Sequence, residues 1–339
     1  EISACLVGSE MCIRDRYKET GKIDMERLKI YMAPLQGLTE APYRNAFEKH
    51  FGGVDVYYTP FIRWEHGGLR RKDVRDLHPD ANKVGHLVPQ IIAASAEEAE
   101  QILAQVVPYG YQEVDLNMGC AFPMLVKKGK GCGLLPEPER VRGLLQVVER
   151  YPDISFSVKM RLGYENAAEC MELLSVLNET RLSRVVVHAR TGRQQYKGEC
   201  DREAFLRFAR ECRHPVVYNG DVTTVESLSE LQQGMPFLEG VMMGRGLLAA
   251  PWVAIEYHEG AAWSMERRMS SLRALHADLL DHYVQTLEGG EKQLLTKMKA
   301  FWEYIYPEGD RKCRKKIHKA QKVADYTQAV FQLLSLSLI

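Results

Sequence analysis

Apolar and polar positions along the chain switch repeatedly between a two-residue and a helical period. Short β-branched or apolar runs predict strands at Ile30–Ala33, Val54–Tyr58, Leu87–Ile92, Val114–Asn117, Ser155–Met160, Arg184–His188, Pro215–Asn219 and Gly240–Met243. Between them, apolar residues spaced three and four apart predict helices at Ala41–His50, Ala96–Val107, Pro138–Arg150, Ala167–Glu179, Arg202–Cys212, Val225–Gln233 and Leu247–Tyr257. Eight strands alternating with helices fit a (β/α)₈ TIM barrel in number and size. The rival α/β arrangement, a doubly wound open sheet, lacks its usual signature, because no strand here is followed by G-x-G-x-x-G. Helical spacing continues past the barrel, over Leu272–Leu287 and Leu294–Tyr306. The expected organisation is an extension over residues 1–26, a barrel over 27–262 and a small all-helical C-terminal domain over 263–339.

Composition alters this picture only locally. Lys plus Arg and Asp plus Glu both number 45 among 339 residues, so overall charge announces no polyanionic partner. From Met265 onward, however, 13 basic residues face 9 acidic ones, and Arg311, Lys312, Arg314, Lys315, Lys316 and Lys319 open a dense basic helix. In isolation such a run reads as a solvated face. The 8 cysteines form no C-x-x-C pair and no zinc spacing, which points to a reduced, cytoplasmic protein without structural metal. No apolar run reaches the roughly 18 residues of a membrane span. The first residues do not read as a signal peptide, and CLVGSEMCIRDR resembles a translated sequencing-adapter scar. The terminal FQLLSLSLI either completes a helix or is a second artefact.

In a barrel of this kind, function gathers where strands end. Those ends carry Pro34, Leu35 and Gln36, then Gln90, then Asn117 with Cys120, then Lys159 and Arg161, His188 and Arg190, Asn219 with Gly220 and Asp221, and finally Gly244-Arg245-Gly246. Glycines after the last two strands suit a phosphate cradle of backbone N–H groups. A strand-borne Lys159 at a barrel mouth is costly without an anionic partner. Gln90 offers donor and acceptor together, as the edge of a flavin or a nucleobase requires. Taken in isolation, His188 reads better as a satisfied core imidazole, and Cys120 as a buried free thiol. The Lys127–Gly133 run reads as a flexible cationic loop.

Six segments, in this order, resemble the tRNA-dihydrouridine synthases: MAPLQGLTEAPYR (32–44), DLNMGCAFP (115–123), SVKMRLG (157–163), VVHARTGRQQYKG (186–198), VVYNGDV (216–222) and VMMGRGLLAAPW (241–252). The resemblance implies an oxidoreductase that reduces the 5,6 double bond of tRNA uridines, using FMN recharged by NADPH. It implies FMN contacts from Pro34, Leu35, Gln36, Gln90, Lys159, His188, Asn219, Gly220, Asp221, Gly244 and Arg245. Cys120 takes the proton donor's position, and Asn117, Arg161 and Arg190 fall near the target uridine. It also implies that the C-terminal helices help to grip tRNA, which turns the basic run into an RNA contact. Three positions depart from the family pattern: Ala121 follows Cys120 where proline is common, Leu35 replaces a frequent methionine, and Arg202 stands where an aromatic residue is usual. Two other classes remain open on the residues alone. One is a different FMN barrel oxidoreductase acting on a small molecule, and the other a catalytically silent RNA-binding barrel.

Overall fold

The computed structural model describes residues 27–336. The proposed adapter scar therefore lies outside the described residues. Strands β1 (Lys29–Met32), β2 (Val56–Tyr58), β3 (Leu87–Val88 with Gln90–Ile91), β4 (Glu113–Met118), β5 (Ser155–Gly163), β6 (Leu182–Thr191), β7 (Val216–Asn219) and β8 (Gly240–Met243) form one parallel sheet. The two halves of β3 flank Pro89, which has no N–H to give a neighbour. The first half pairs with β2 and the second with β4, while β1 pairs with β8, so the sheet closes on itself as a TIM barrel. Across the break, the Pro89 carbonyl accepts from Asp115 N at 2.9 Å, and Thr59 N donates to the Val88 carbonyl at 3.1 Å.

Side chains alternate across each strand, so every second residue points into the barrel. Tyr31, Ala33, Val56, Tyr58, Val88, Val186, Val217 and Met242 form a buried apolar cluster of their own, separate from the larger core between sheet and helices. The same phase continues through Asp115 and Asn117, Ser157, Lys159 and Arg161, and Arg184 and His188. Register places Gln90 beside Asp115 and Asp115 beside Ser157, a polar row across three strands. Arg184 reaches Glu113 at 3.1 Å and Glu239 at 3.5 Å and lies over the Tyr31 ring. Gly240 is required beside this group, since a Cβ there would sit 2.3 Å from the Lys29 carbonyl and 2.6 Å from the Tyr31 ring.

Helices Ala41–His50 and Pro138–Arg150 occupy the predicted spans. The predicted Ala167–Glu179 helix is instead two short pieces, Glu169–Glu172 and Leu174–Glu179. Just before the first, the Glu169 carboxylate accepts the backbone N–H groups of Tyr164, Glu165 and Asn166 and holds the chain in a turn. The predicted Leu247–Tyr257 helix is likewise split, into Arg245–Ala249 and Val253–Glu259, around Pro251. Strands β5 and β6 run three residues past their predicted C-terminal ends, carrying Arg161 and Arg190 as strand residues.

The C-terminal region is helical: Met265–Thr286, Gly290–Phe301, Arg311–Lys319 and Val323–Leu336. It packs on helix Ala41–His50, where the Phe301 ring stacks on Tyr43 at 5.6 Å and Trp263 on Phe51 at 6.0 Å. Two polar ties reach the barrel loops. Lys297 donates to the Gly37 carbonyl at 2.8 Å and to Glu40 at 2.6 Å, and Tyr306 N donates to the Ala249 carbonyl at 3.0 Å. No helix among the described residues is long and apolar enough to cross a membrane.

Candidate active site

A cavity of about 770 Å³ opens at the C-terminal ends of the strands. All but two of the fifteen sequence-predicted site residues line it: Pro34, Leu35, Gln36, Asn117, Cys120, Lys159, Arg161, His188, Asn219, Gly220, Asp221, Gly244 and Arg245. Cys120 and the Gly244-Arg245 turn, far apart in sequence, share this one space. Gln90 and Arg190 are not part of the lining, and both are buried.

Gln90 belongs to a relay one layer deeper. Its Nε2 donates to Asp115 at 2.8 Å, and its Oε1 accepts from Asn117 Nδ2 at 2.7 Å. Ser157 donates to the other Asp115 oxygen at 2.6 Å. Asn117 Oδ1 then accepts the N–H groups of Gly119 at 3.1 Å and Cys120 at 2.9 Å, closing the turn that carries the thiol. An asparagine amide offers two donors and one doubly accepting oxygen, so one Asn117 N–H remains for a ligand. Asp115 and Ser157 went unremarked in the sequence, although a carboxylate within a buried strand was itself the signal.

The thiol's turn is braced from two further sides. Arg161, expected beside the substrate, donates Nε to the Gly119 carbonyl at 2.8 Å and Nη1 to the carbonyls of Thr191 and Gln195 at 2.9 and 2.8 Å. It ties the Cys120 turn to the loop after β6. On the other side Cys132 N donates to the Cys120 carbonyl at 3.0 Å. Gly131, at φ +59°, permits this approach, because a Cβ there would lie 2.4 Å from the Cys120 carbonyl. The run expected to be a flexible cationic loop is therefore packed: Lys130 is buried and paired with Glu98, and only Lys127 and Lys128 remain exposed.

Arg190 organises the opposite wall. It pairs with Asp221 and also donates Nη2 to the Gly198 carbonyl at 2.7 Å, while Arg245 reaches Asp221 at 3.2 Å. Burial alone would raise the Asp221 carboxyl, but the Arg190 hydrogen bond and both guanidinium charges hold it below the usual range. Asp221, the carboxylate of the lining, is thus neutralised, and its wall keeps a positive surplus.

Charge at the centre follows from burial. Desolvation, then the neighbouring Arg161, brings Lys159 down to about 8, and its ammonium donates to the neutral Asn219 amide at 3.0 Å. Burial and the surrounding Lys159, Arg161, Arg190 and Arg245 keep His188 neutral. Burial also pushes the Cys120 thiol above its ordinary value, outweighing the Phe122 N–H, Arg161 and Lys159. Asp115 rises to about 6 for the same reason. The lining also includes Phe61, Phe122, Gln195 and Tyr196, none of which was singled out as a site residue. The described cysteines are all free.

A (β/α)₈ barrel with a thiol, an imidazole and a surplus of cations around one strand-end cavity has the architecture of a barrel enzyme. A family model for dihydrouridine synthase (Dus) matches residues 31–335. The chain is 27% identical over 265 residues to a probable tRNA-dihydrouridine synthase of Helicobacter pylori strain J99, covering 76% of this chain and 77% of that protein. It is 31% identical over 236 residues to a tRNA-dihydrouridine(16) synthase of Pseudomonas syringae pv. tomato, covering 67% and 74%. The chain belongs to the dihydrouridine synthase family. Among solved structures, histamine dehydrogenase from Rhizobium sp. 4-9 aligns with a TM-score of 0.54 and 11% identity, over 80% of this chain and 49% of that one, a likeness of fold alone.

Proposed function

We propose that the protein is a tRNA-dihydrouridine synthase that holds FMN in the strand-end cavity and reduces a uridine presented to Cys120. The observation that carries this reading is the meeting of the Cys120 thiol with Lys159, Arg161 and Arg245, against the single lining carboxylate Asp221, in one cavity. Lys159 makes its hydrogen bond to a neutral amide, and a half-buried ammonium without a bonded carboxylate favours an anionic or electron-rich ligand. Arg245 sits at a helix start, where backbone N–H groups lack carbonyl partners within the helix, as a phosphate requires. The donor set therefore fits FMN, with Pro34, Leu35, Gln36, Lys159, His188, Asn219, Gly220, Gly244 and Arg245 available to hold it. Asp221, which the resemblance also assigns to the flavin, orients Arg190 and Arg245 along the same wall.

FMN, recharged by NADPH, would supply the hydride for one carbon of the uracil 5,6 bond. The other carbon needs a proton. Cys120, kept protonated by burial, donates it as a general acid, on a turn fixed by Asn117 and Arg161. Lys159 and the remaining Asn117 N–H stand within the same lining to polarise the base. A target uridine must leave its stack to enter such a cavity, and phosphate contacts then set affinity and register. Lys315 and Lys316, exposed on the Arg311–Lys319 helix, are available for that task. The test is direct: purified protein should carry oxidised-flavin absorbance and, with NADPH, add two mass units to a uridine of unmodified tRNA. Colourless protein that binds tRNA without modifying it would refute the reading.

A further inference from the structure

We propose that Phe122 is a stacking platform for the base adjoining the target uridine, with Lys127 and Lys128 on the same loop taking backbone phosphates. This rests on the tRNA reading above. Phe122 lies two residues beyond Cys120, lines the cavity and is 50% exposed, and Met124 beside it is 63% exposed. The loop had an inward option and used it for other residues: Leu125 is buried in the core, and Lys130 is buried against Glu98. A phenyl ring left in water on a loop pinned this firmly is preorganised for a partner.

The chemistry of that partner follows from the neighbours. An aromatic face at a cavity mouth, followed within six residues by two exposed lysines, matches a nucleotide, whose base stacks while its phosphate seeks cations. Turning one base out of an RNA loop also leaves the face of the next base without its stacking neighbour. The other strongly exposed ring of the lining, Tyr196, is already engaged by the guanidinium groups of Arg161 at 5.7 Å and Arg245 at 4.6 Å. Among the described residues, no aromatic ring or cation stacks on Phe122.

The experiment compares Phe122→Ala, Phe122→Leu and Phe122→Trp in the full-length protein, at matched flavin content, with unmodified tRNA and excess NADPH. The expected kcat/KM for tRNA falls about 5- to 150-fold in the Ala variant, mainly through KM, as for loss of one base stacked on an aromatic ring. The Leu variant should fall nearly as far, because it keeps bulk without a π face, whereas the Trp variant should stay near the wild type. Unchanged turnover by Phe122→Ala, full activity of Phe122→Leu, or flavin loss from Phe122→Ala would each overturn the proposal. If the wild type itself forms no dihydrouridine, the functional reading fails; if it does and Phe122→Ala matches it, only the platform fails.

Discussion

The two walls of the cavity solve the same problem, a polar surface inside a barrel, with opposite materials. On the β3–β5 side, the amides of Gln90 and Asn117 carry a relay from the Ser157 hydroxyl and the Asp115 carboxyl to the Cys120 turn. On the β6–β8 side, charged groups form a clamp in which Asp221 is gripped by Arg190 and Arg245. The amides fix the turn without adding charge, and burial outweighs the nearby Arg161 and Lys159 to hold the thiol above its ordinary value. The guanidinium clamp keeps its wall cationic while orienting those groups. A thiol and a cationic surface thus face one space from its two walls.

The largest effect should come from the amide wall. Cys120→Ala should lower dihydrouridine formation about 10²- to 10⁴-fold, the usual worth of a positioned acid, while the protein keeps its flavin absorbance. Next, Arg190→Ala should strip Asp221 of its main partner and leave a carboxylate beside the ligand's phosphate. Flavin retention should weaken about 10- to 100-fold in a dissociation titration, as for loss of charged hydrogen bonds. If flavin binding is unaffected, the charged wall is structural only.

Asp115→Asn sharpens the contrast through pH. The folded-state Asp115 is raised to about 6, so the native state binds the extra proton between the unfolded value and that point. Stability from this group is present at low pH and lost as pH rises through about 6. Wild-type denaturation midpoints should therefore decline relative to Asp115→Asn between about pH 4 and 7, and parallel curves would contradict the burial argument.

The smallest effect distinguishes two kinds of cation on one helix. Arg314 donates to the carbonyls of Trp302, Ile305 and Tyr306 at 2.7 to 2.8 Å and so holds the preceding turn. Arg314→Ala should cost about 1 to 3 kcal/mol in stability and leave the salt dependence of tRNA binding unchanged. Replacing Lys315 and Lys316 together should do the reverse, reducing the slope of log K against log salt by about 1 to 2.

That pair shows where sequence stops being legible. Strand and helix periods located the barrel, because burial on one face imposes them, and strand ends then located most of the cavity. Charge density did not separate contacts from braces. Lys130 and Arg314 sit in basic runs, yet one is buried against Glu98 and the other bonds backbone carbonyls, partners that only the folded chain brings near. Gln90, Arg161 and Arg190 were recognisable as site residues, but their work as supports depends on hydrogen bonds to carbonyls and neighbouring strands that no spacing encodes. Phe301 and Trp302, within the span whose apolar spacing predicted a helix over Leu294–Tyr306, are buried.

The most direct test of the thiol's role is the pH dependence of dihydrouridine formation by pre-reduced wild-type enzyme in a single turnover. With Cys120 held above its ordinary value of 9.0, the rate should stay level from about pH 6 to 7.5, and a fall beyond that should follow the Lys159 ammonium, at about 8, and not the thiol. A rate that declines near neutrality, with Cys120 alkylated rapidly there, would show a thiolate in place of the buried acid and contradict the account.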